Sequence, residues 1–81
     1  MVKKDITVQK KLFNTQDAAQ CIQIAMQYDS ELCIHYGEYR VNPKSLMGLL
    51  CLRLTPGMKV VLTGEGKDEN AAVSHLEAFL S

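Results

Sequence analysis

The sequence predicts an α+β fold: a four-stranded antiparallel sheet covered on one face by three helices, an open-faced β-sandwich with the order β-α-β-β-α-β-α. Three observations carry this expectation. Short segments alternate apolar and polar residues with a period of two. Longer segments place apolar residues at helical spacing. Capping and turn residues punctuate the boundaries between them. With 81 residues, the chain reads as one domain over 1–81.

Taken in order, Asp5-Ile6-Thr7-Val8-Gln9 alternates and reads as a strand with Ile6 and Val8 facing inward. Lys10 to Phe13 connect it to a helix that Asn14 or Thr15 can cap, with Asp17 favoured in the first turn by the macrodipole. In that helix Ala18, Ile22 and Ala25 share a face flanked by Cys21 and Met26. Gln16, Gln20, Gln23 and Gln27 share the opposite one, which is polar but uncharged.

Leu32, Ile34 and Tyr36 alternate with Cys33 and His35 in a second strand. Gly37 permits a tight turn into a short strand, Tyr39-Arg40-Val41. Asn42-Pro43 breaks the chain, and Ser45 is placed to cap a short helix through Leu46, Met47, Leu49 and Leu50. Pro56-Gly57 is a turn, and Met58, Val60 and Leu62 form a fourth strand. Gly64-Glu65-Gly66 reads as the turn that ends it, too short for a dinucleotide loop. Asp68 is then expected to cap a last helix with a stripe of Ala72, Val73, Leu76, Phe79 and Leu80.

Composition limits the functional classes. Hydrophobic residues make up 47% and charged residues 22%, the balance of an ordinary globular chain. Nine basic and nine acidic side chains cancel. A chain of zero net charge is not expected to bind nucleic acid or an anionic membrane surface, because no long-range field would steer either. Lys3, Lys4, Lys10 and Lys11 cluster, after which no Lys or Arg occurs until Arg40.

Cys21, Cys33 and Cys51 are odd in number and form no CxxC, against a disulfide framework or a cysteine zinc site. Each is expected to pack as a small apolar residue in a reducing compartment. No apolar leader follows Met1, and no stretch approaches a membrane span. A cytoplasmic protein without cofactor or metal is the expectation. His35 and His75 stand outside any motif and read as surface residues.

Asn42-Pro43-Lys44-Ser45-Leu46-Met47-Gly48 before a short helix resembles HPr, the histidine-containing phosphocarrier of the bacterial sugar phosphotransferase system. Ala25-Met26-Gln27-Tyr28-Asp29-Ser30 and Gly64-Glu65-Gly66-Lys67-Asp68-Glu69-Asn70 extend the similarity over nearly the whole chain. In that family Gly-(Leu/Ile)-His-Ala-Arg-Pro-Ala opens the first helix, and its histidine takes phosphate from Enzyme I. Aligned without a gap, Leu12-Phe13-Asn14-Thr15-Gln16-Asp17-Ala18 stands here. Asn14 replaces the phosphoacceptor histidine, Gln16 the arginine and Asp17 the proline.

An amide is no substitute for imidazole as a phosphoryl-accepting nucleophile. Without the arginine, no bidentate cation shares the phosphate charge, and Asp17 adds a repulsive one. The resemblance therefore implies a non-enzymatic regulatory or binding module. Ser45 matches the serine phosphorylated by HPr kinase in many Gram-positive members, although a plain helix cap accounts for a serine there equally well. Leu46, Met47 and Leu50, with Gln16 and Gln20, match the partner-binding surface.

The implied partners are HPr kinase, a transcriptional regulator or phosphotransferase components, with the chain a monomer or a dimer. The lack of Lys and Arg from Leu12 to Tyr39 implies weak docking to Enzyme I, whose family members meet basic groups there. Two alternatives stand beside this reading: a divergent phosphocarrier with another acceptor, and an interaction module unrelated to sugar uptake.

Overall fold

A computed structural model describes residues 1–9 and 14–81. The elements follow as β1 (Val2–Thr7), α1 (Thr15–Met26), β2 (Glu31–Tyr36), β3 (Tyr39–Val41), α2 (Leu46–Leu52), β4 (Lys59–Glu65) and α3 (Glu69–Leu80). The expected order is the observed one. The connector Lys10–Phe13 lies outside the described residues.

The four strands form one antiparallel sheet in the order β1-β4-β2-β3. The last strand in sequence thus runs between the first two long ones. Ile6, Leu32, Ile34, Val60 and Leu62 are buried on the helix-covered face. They meet Ala18, Cys21 and Ala25 of α1, Leu49 of α2, and Ala72, Val73, Leu76 and Leu80 of α3. The strands' period of two leaves Asp5, Thr7, Cys33, His35, Val61 and Thr63 on the uncovered face.

Several boundaries differ from the sequence reading, each for a tertiary reason. β1 starts at Val2 and stops at Thr7, because its ladder to β4 runs from Val2 opposite Gly64 to Thr7 opposite Lys59. Val8 is buried as expected, but its N–H goes to the Met58 carbonyl beyond the strand. Gly64 and Glu65 belong to β4 and do not form the expected turn. A Cβ on Gly64 would lie 2.8 Å from Val73 Cγ2 and 3.2 Å from Leu32 Cδ2, so the missing side chain lets α3 lie close to the sheet.

On α1 the buried line is Ala18, Cys21 and Ala25, while Ile22 is half-buried and Met26 is exposed. The helix thus turns its narrowest side chains into the core. The glutamine face is exposed throughout, as expected. Cys51 is exposed and does not pack as an apolar residue, because it falls on the outer side of α2.

Candidate functional site

Both expected caps at the first two helix starts form. Asn14 is extended (φ −85°, ψ −179°), and its Oδ1 accepts the Asp17 N–H at 2.9 Å. Its carbonyl accepts the first helical N–H, from Ala18, at 2.9 Å. Asn14, Thr15 and Gln16 are exposed at this start. Leu12 and Phe13, the first two residues of the motif alignment, lie outside the described residues. Asn14 is thus a short amide engaged in capping its own helix.

Ser45 is likewise extended (φ −109°, ψ 117°), and its Oγ accepts the Gly48 N–H at 3.3 Å. Asn42 sets up this approach: its Oδ1 accepts the Lys44 N–H at 2.9 Å and its carbonyl accepts the Ser45 N–H at 2.9 Å. This Asx turn carries buried Pro43 and delivers Ser45 to the helix start. A Cβ on Gly48 would fall 2.9 Å from Val41 Cγ1, so α2 lies close against β3.

Leu46 and Met47 project from the first turn of α2 with 41% and 72% exposure. Leu50 is half-buried and packs against the core, with Leu49 fully inside. Leu46 and Met47 therefore form the outer part of the expected patch, and Leu50 its base. Gln16 and Gln20 are exposed on α1, the helix packed beside α2.

The structure also joins residues that sequence reasoning left apart. The turn Tyr28–Ser30 between α1 and β2 is held from three directions. Lys44 Nζ donates to the Tyr28 carbonyl at 3.1 Å and the Ser30 carbonyl at 3.4 Å. His75 Nδ1 and the Tyr28 hydroxyl share a hydrogen bond of 2.7 Å, with the rings edge to face at 5.8 Å.

Asp68 accepts the Asp29 N–H at 2.9 Å and the Ser30 N–H at 3.0 Å, together with the Ser30 hydroxyl. These bonds, the Ser30 hydroxyl foremost and then the Asp29 N–H, hold its carboxyl below the usual carboxylate range. Two expectations are corrected here. Asp68 stands at the N-cap position of α3 but makes no side-chain cap bond, because its oxygens serve the other turn. His75 is half-buried against Tyr28 and is not a free surface residue. The signal was present in the chain, since Ser30 and Asp68 both fall in the segments that carry the family resemblance.

Among the described residues no three His, Cys, Asp or Glu side chains come together as metal ligands. His35 is half-buried on the uncovered sheet face, where Nε2 lies 3.1 Å from Thr63 Oγ1. Burial pushes the Cys21 thiol up to about 12. No helix among the described residues is long and apolar enough to cross a membrane.

Fold and site together define a small open-faced sandwich whose candidate groups are presented on the surface, at two capped helix starts. Residues 2–81 match the family described as the PTS HPr component phosphorylation site. The chain is 37% identical over 81 residues to the HPr-like protein Crh of Halalkalibacterium halodurans, covering 99% of this chain and 96% of that protein. The HPr structure from Bacillus anthracis superposes with a TM-score of 0.91 at 30% identity, covering 99% of this chain and 96% of that one.

A crystal structure of Crh from Bacillus subtilis, described as a dimer with a swapped domain, gives a TM-score of 0.77 at 32% identity, over 98% of this chain and 92% of that one. The chain belongs to the HPr family, phosphocarrier and HPr-like proteins of the sugar phosphotransferase system.

Proposed function

We propose that this chain is a regulatory HPr-like protein that does not relay phosphate through histidine. It acts through Ser45 and the adjacent side chains Leu46, Met47 and Leu50. The observation that carries the reading is Asn14, an amide engaged in capping at the position aligned with the phosphoacceptor. Gln16 brings no cation beside it, and Asp17 brings a carboxylate to the same turn. The two histidines support the same reading. His35 sits on the uncovered sheet face and His75 is bonded to Tyr28, both on elements other than α1.

The regulatory half rests on Ser45 and its surroundings. Phosphate on this hydroxyl would place acceptor oxygens at the start of α2, with the Lys44 ammonium one residue away in sequence. Leu46 and Met47 then offer a partner a flexible apolar contact directly beside the modified residue. A kinase acting on Ser45 and a transcriptional regulator reading the product are the partners that this arrangement fits. The resemblance to the Crh proteins supports the same assignment.

Intact mass after two incubations tests it, one with phosphoenolpyruvate and Enzyme I, the other with ATP and HPr kinase. The expected result is one phosphate in the second only, absent in Ser45→Ala. An acid-labile phosphate in the first would overturn the non-relaying half of the reading. No phosphate in either would overturn the regulatory half.

A further inference from the structure

Four charged side chains stand around one groove on the uncovered face of the sheet. The groove holds about 610 Å³, within the size range of small-molecule sites. Lys3, Arg40, Glu31 and Glu65 line it, two of each sign. The ion pairs among the described residues are Met1–Glu69 and Lys4–Glu77, and none of the four takes part in either. Met1 also lines the groove, but its ammonium is bound to Glu69 at 3.1 Å.

The strand register sorts these charges. Glu31 stands directly opposite Glu65, and like charges so placed on neighbouring strands repel. Cys33 opposite Thr63 and His35 opposite Val61 follow in steps of two residues, and Arg40 lies opposite His35 on β3. At about 3.4 Å per residue, the glutamate end and the Arg40 end are roughly 13–14 Å apart along the strands. Lys3, opposite Thr63 from β1, is level with the middle. The floor is Val61, Cys33 and Thr63, whose Oγ1 lies 3.1 Å from His35 Nε2.

This arrangement selects the charge type of a ligand. A pure anion would be repelled at the glutamates, and a pure cation at Lys3 and Arg40. A molecule with a cation at one end and an anion at the other meets a counter-charge at both. An extended peptide spans about 3.3–3.6 Å per residue, so three residues cover about 10 Å. The long Glu and Arg side chains can close the remaining gap.

We infer that the groove binds a short peptide with both ends free, about three residues long and lying along the sheet face. Its ammonium sits between Glu31 and Glu65 and relieves their repulsion, and its carboxylate meets Arg40. Thr63 and His35 offer hydrogen bonds to the peptide amides between. Neither Ser45 nor any helix lines this groove, so its occupation does not depend on the regulatory reading.

Two-dimensional amide NMR of the full chain during titration with trialanine tests the inference. The expected result is saturable shifts at Cys33, His35, Arg40, Val61 and Thr63, with a dissociation constant of about 1–10 mM. N-acetyl-trialanine and trialanine amide should each bind at least about threefold more weakly, the loss of one partly exposed charge pair. The double variant Glu31→Gln, Glu65→Gln should weaken trialanine by a similar factor but not weaken the acetylated peptide further. Arg40→Gln should stand in the same relation to the amide form. Lys67→Gln, which removes a charge outside the groove, should change nothing, and circular dichroism checks that the variants are folded.

Trialanine that gives no saturable shift up to about 50 mM overturns the inference. So do capped peptides that bind as well as the free one, or shifts that fall on the helices and not on the sheet face.

Discussion

Asp68 holds Ser30 twice, its Oδ1 accepting the Ser30 N–H at 3.0 Å and the Ser30 hydroxyl as well. Ser30 is 1% exposed, and the two residues are separated by most of the sheet in sequence. A carboxylate at the start of the last helix thereby closes the turn that leads from α1 into β2.

This relationship makes stability depend on pH. The folded state holds the Asp68 carboxyl below its ordinary range, so the unfolded chain takes up its proton at a higher pH than the folded one. The contribution is present above the usual carboxylate value of about 4 and fades as pH falls through the lower folded value. Glu69 acts with the same sign, held down by the Gly66 N–H and the terminal ammonium of Met1. Urea midpoints measured between neutral and acid pH should fall on acidification, and Asp68→Asn should lower the neutral midpoint and flatten that fall.

Gly64 and Gly37 should respond differently to alanine. At Gly64 the new methyl meets Val73 and Leu32 in the core, which costs about 1–3 kcal/mol by overpacking. At Gly37 nothing lies within 4 Å, and only the positive φ of 58° opposes the change, at about 1 kcal/mol. Chemical denaturation of the two variants compares them directly.

Ser45→Ala removes the cap of a short helix whose bond to Gly48 is long, at 3.3 Å. The expected loss is about 0.5–1 kcal/mol, towards the lower end for N-caps. Ser45→Asp retains a capping oxygen and should lose less. Denaturation midpoints check this, and they separate a folding defect from the loss of the proposed modification site.

On the proposed reading, installing a relay at the start of α1 should require more than a histidine. Asn14→His alone supplies a nucleophile but leaves Asp17 beside it and no arginine. The triple change Asn14→His, Gln16→Arg and Asp17→Pro should gain acid-labile phosphate from phosphoenolpyruvate and Enzyme I, at least about tenfold faster than the single variant. Mass spectrometry of the intact protein reads the outcome.

The cysteines should separate by reactivity. Cys51 is exposed, Cys33 half-buried and Cys21 buried, its thiol pushed up to about 12. Iodoacetamide should modify Cys51 first and Cys21 only on unfolding, since the thiolate is the nucleophile. Peptide mapping over time checks the order.

Much of this architecture is local and therefore legible in one dimension. The alternation of Leu32, Cys33, Ile34 and His35 and the stripe Ala72, Val73, Leu76 and Leu80 each report a face within a few residues. The caps Asn14 and Ser45 act on an N–H three residues ahead, so sequence neighbours suffice to identify them. The uncharged glutamine face is also plain from residue types alone.

Tertiary structure decided what depends on distant partners. Asp68 had the residue type and position of a cap, yet it serves Asp29 and Ser30, which only sheet closure brings within reach. His75 became half-buried because α3 passes Tyr28. Gly64 read as a turn but lies in β4, where pairing with both β1 and β2 outweighs a weak local preference for bending. Local propensity is worth tenths of a kcal/mol per residue. A hydrogen bond to an ionised group across the fold is worth more, so wherever the two compete the assembled sheet and helices set the outcome.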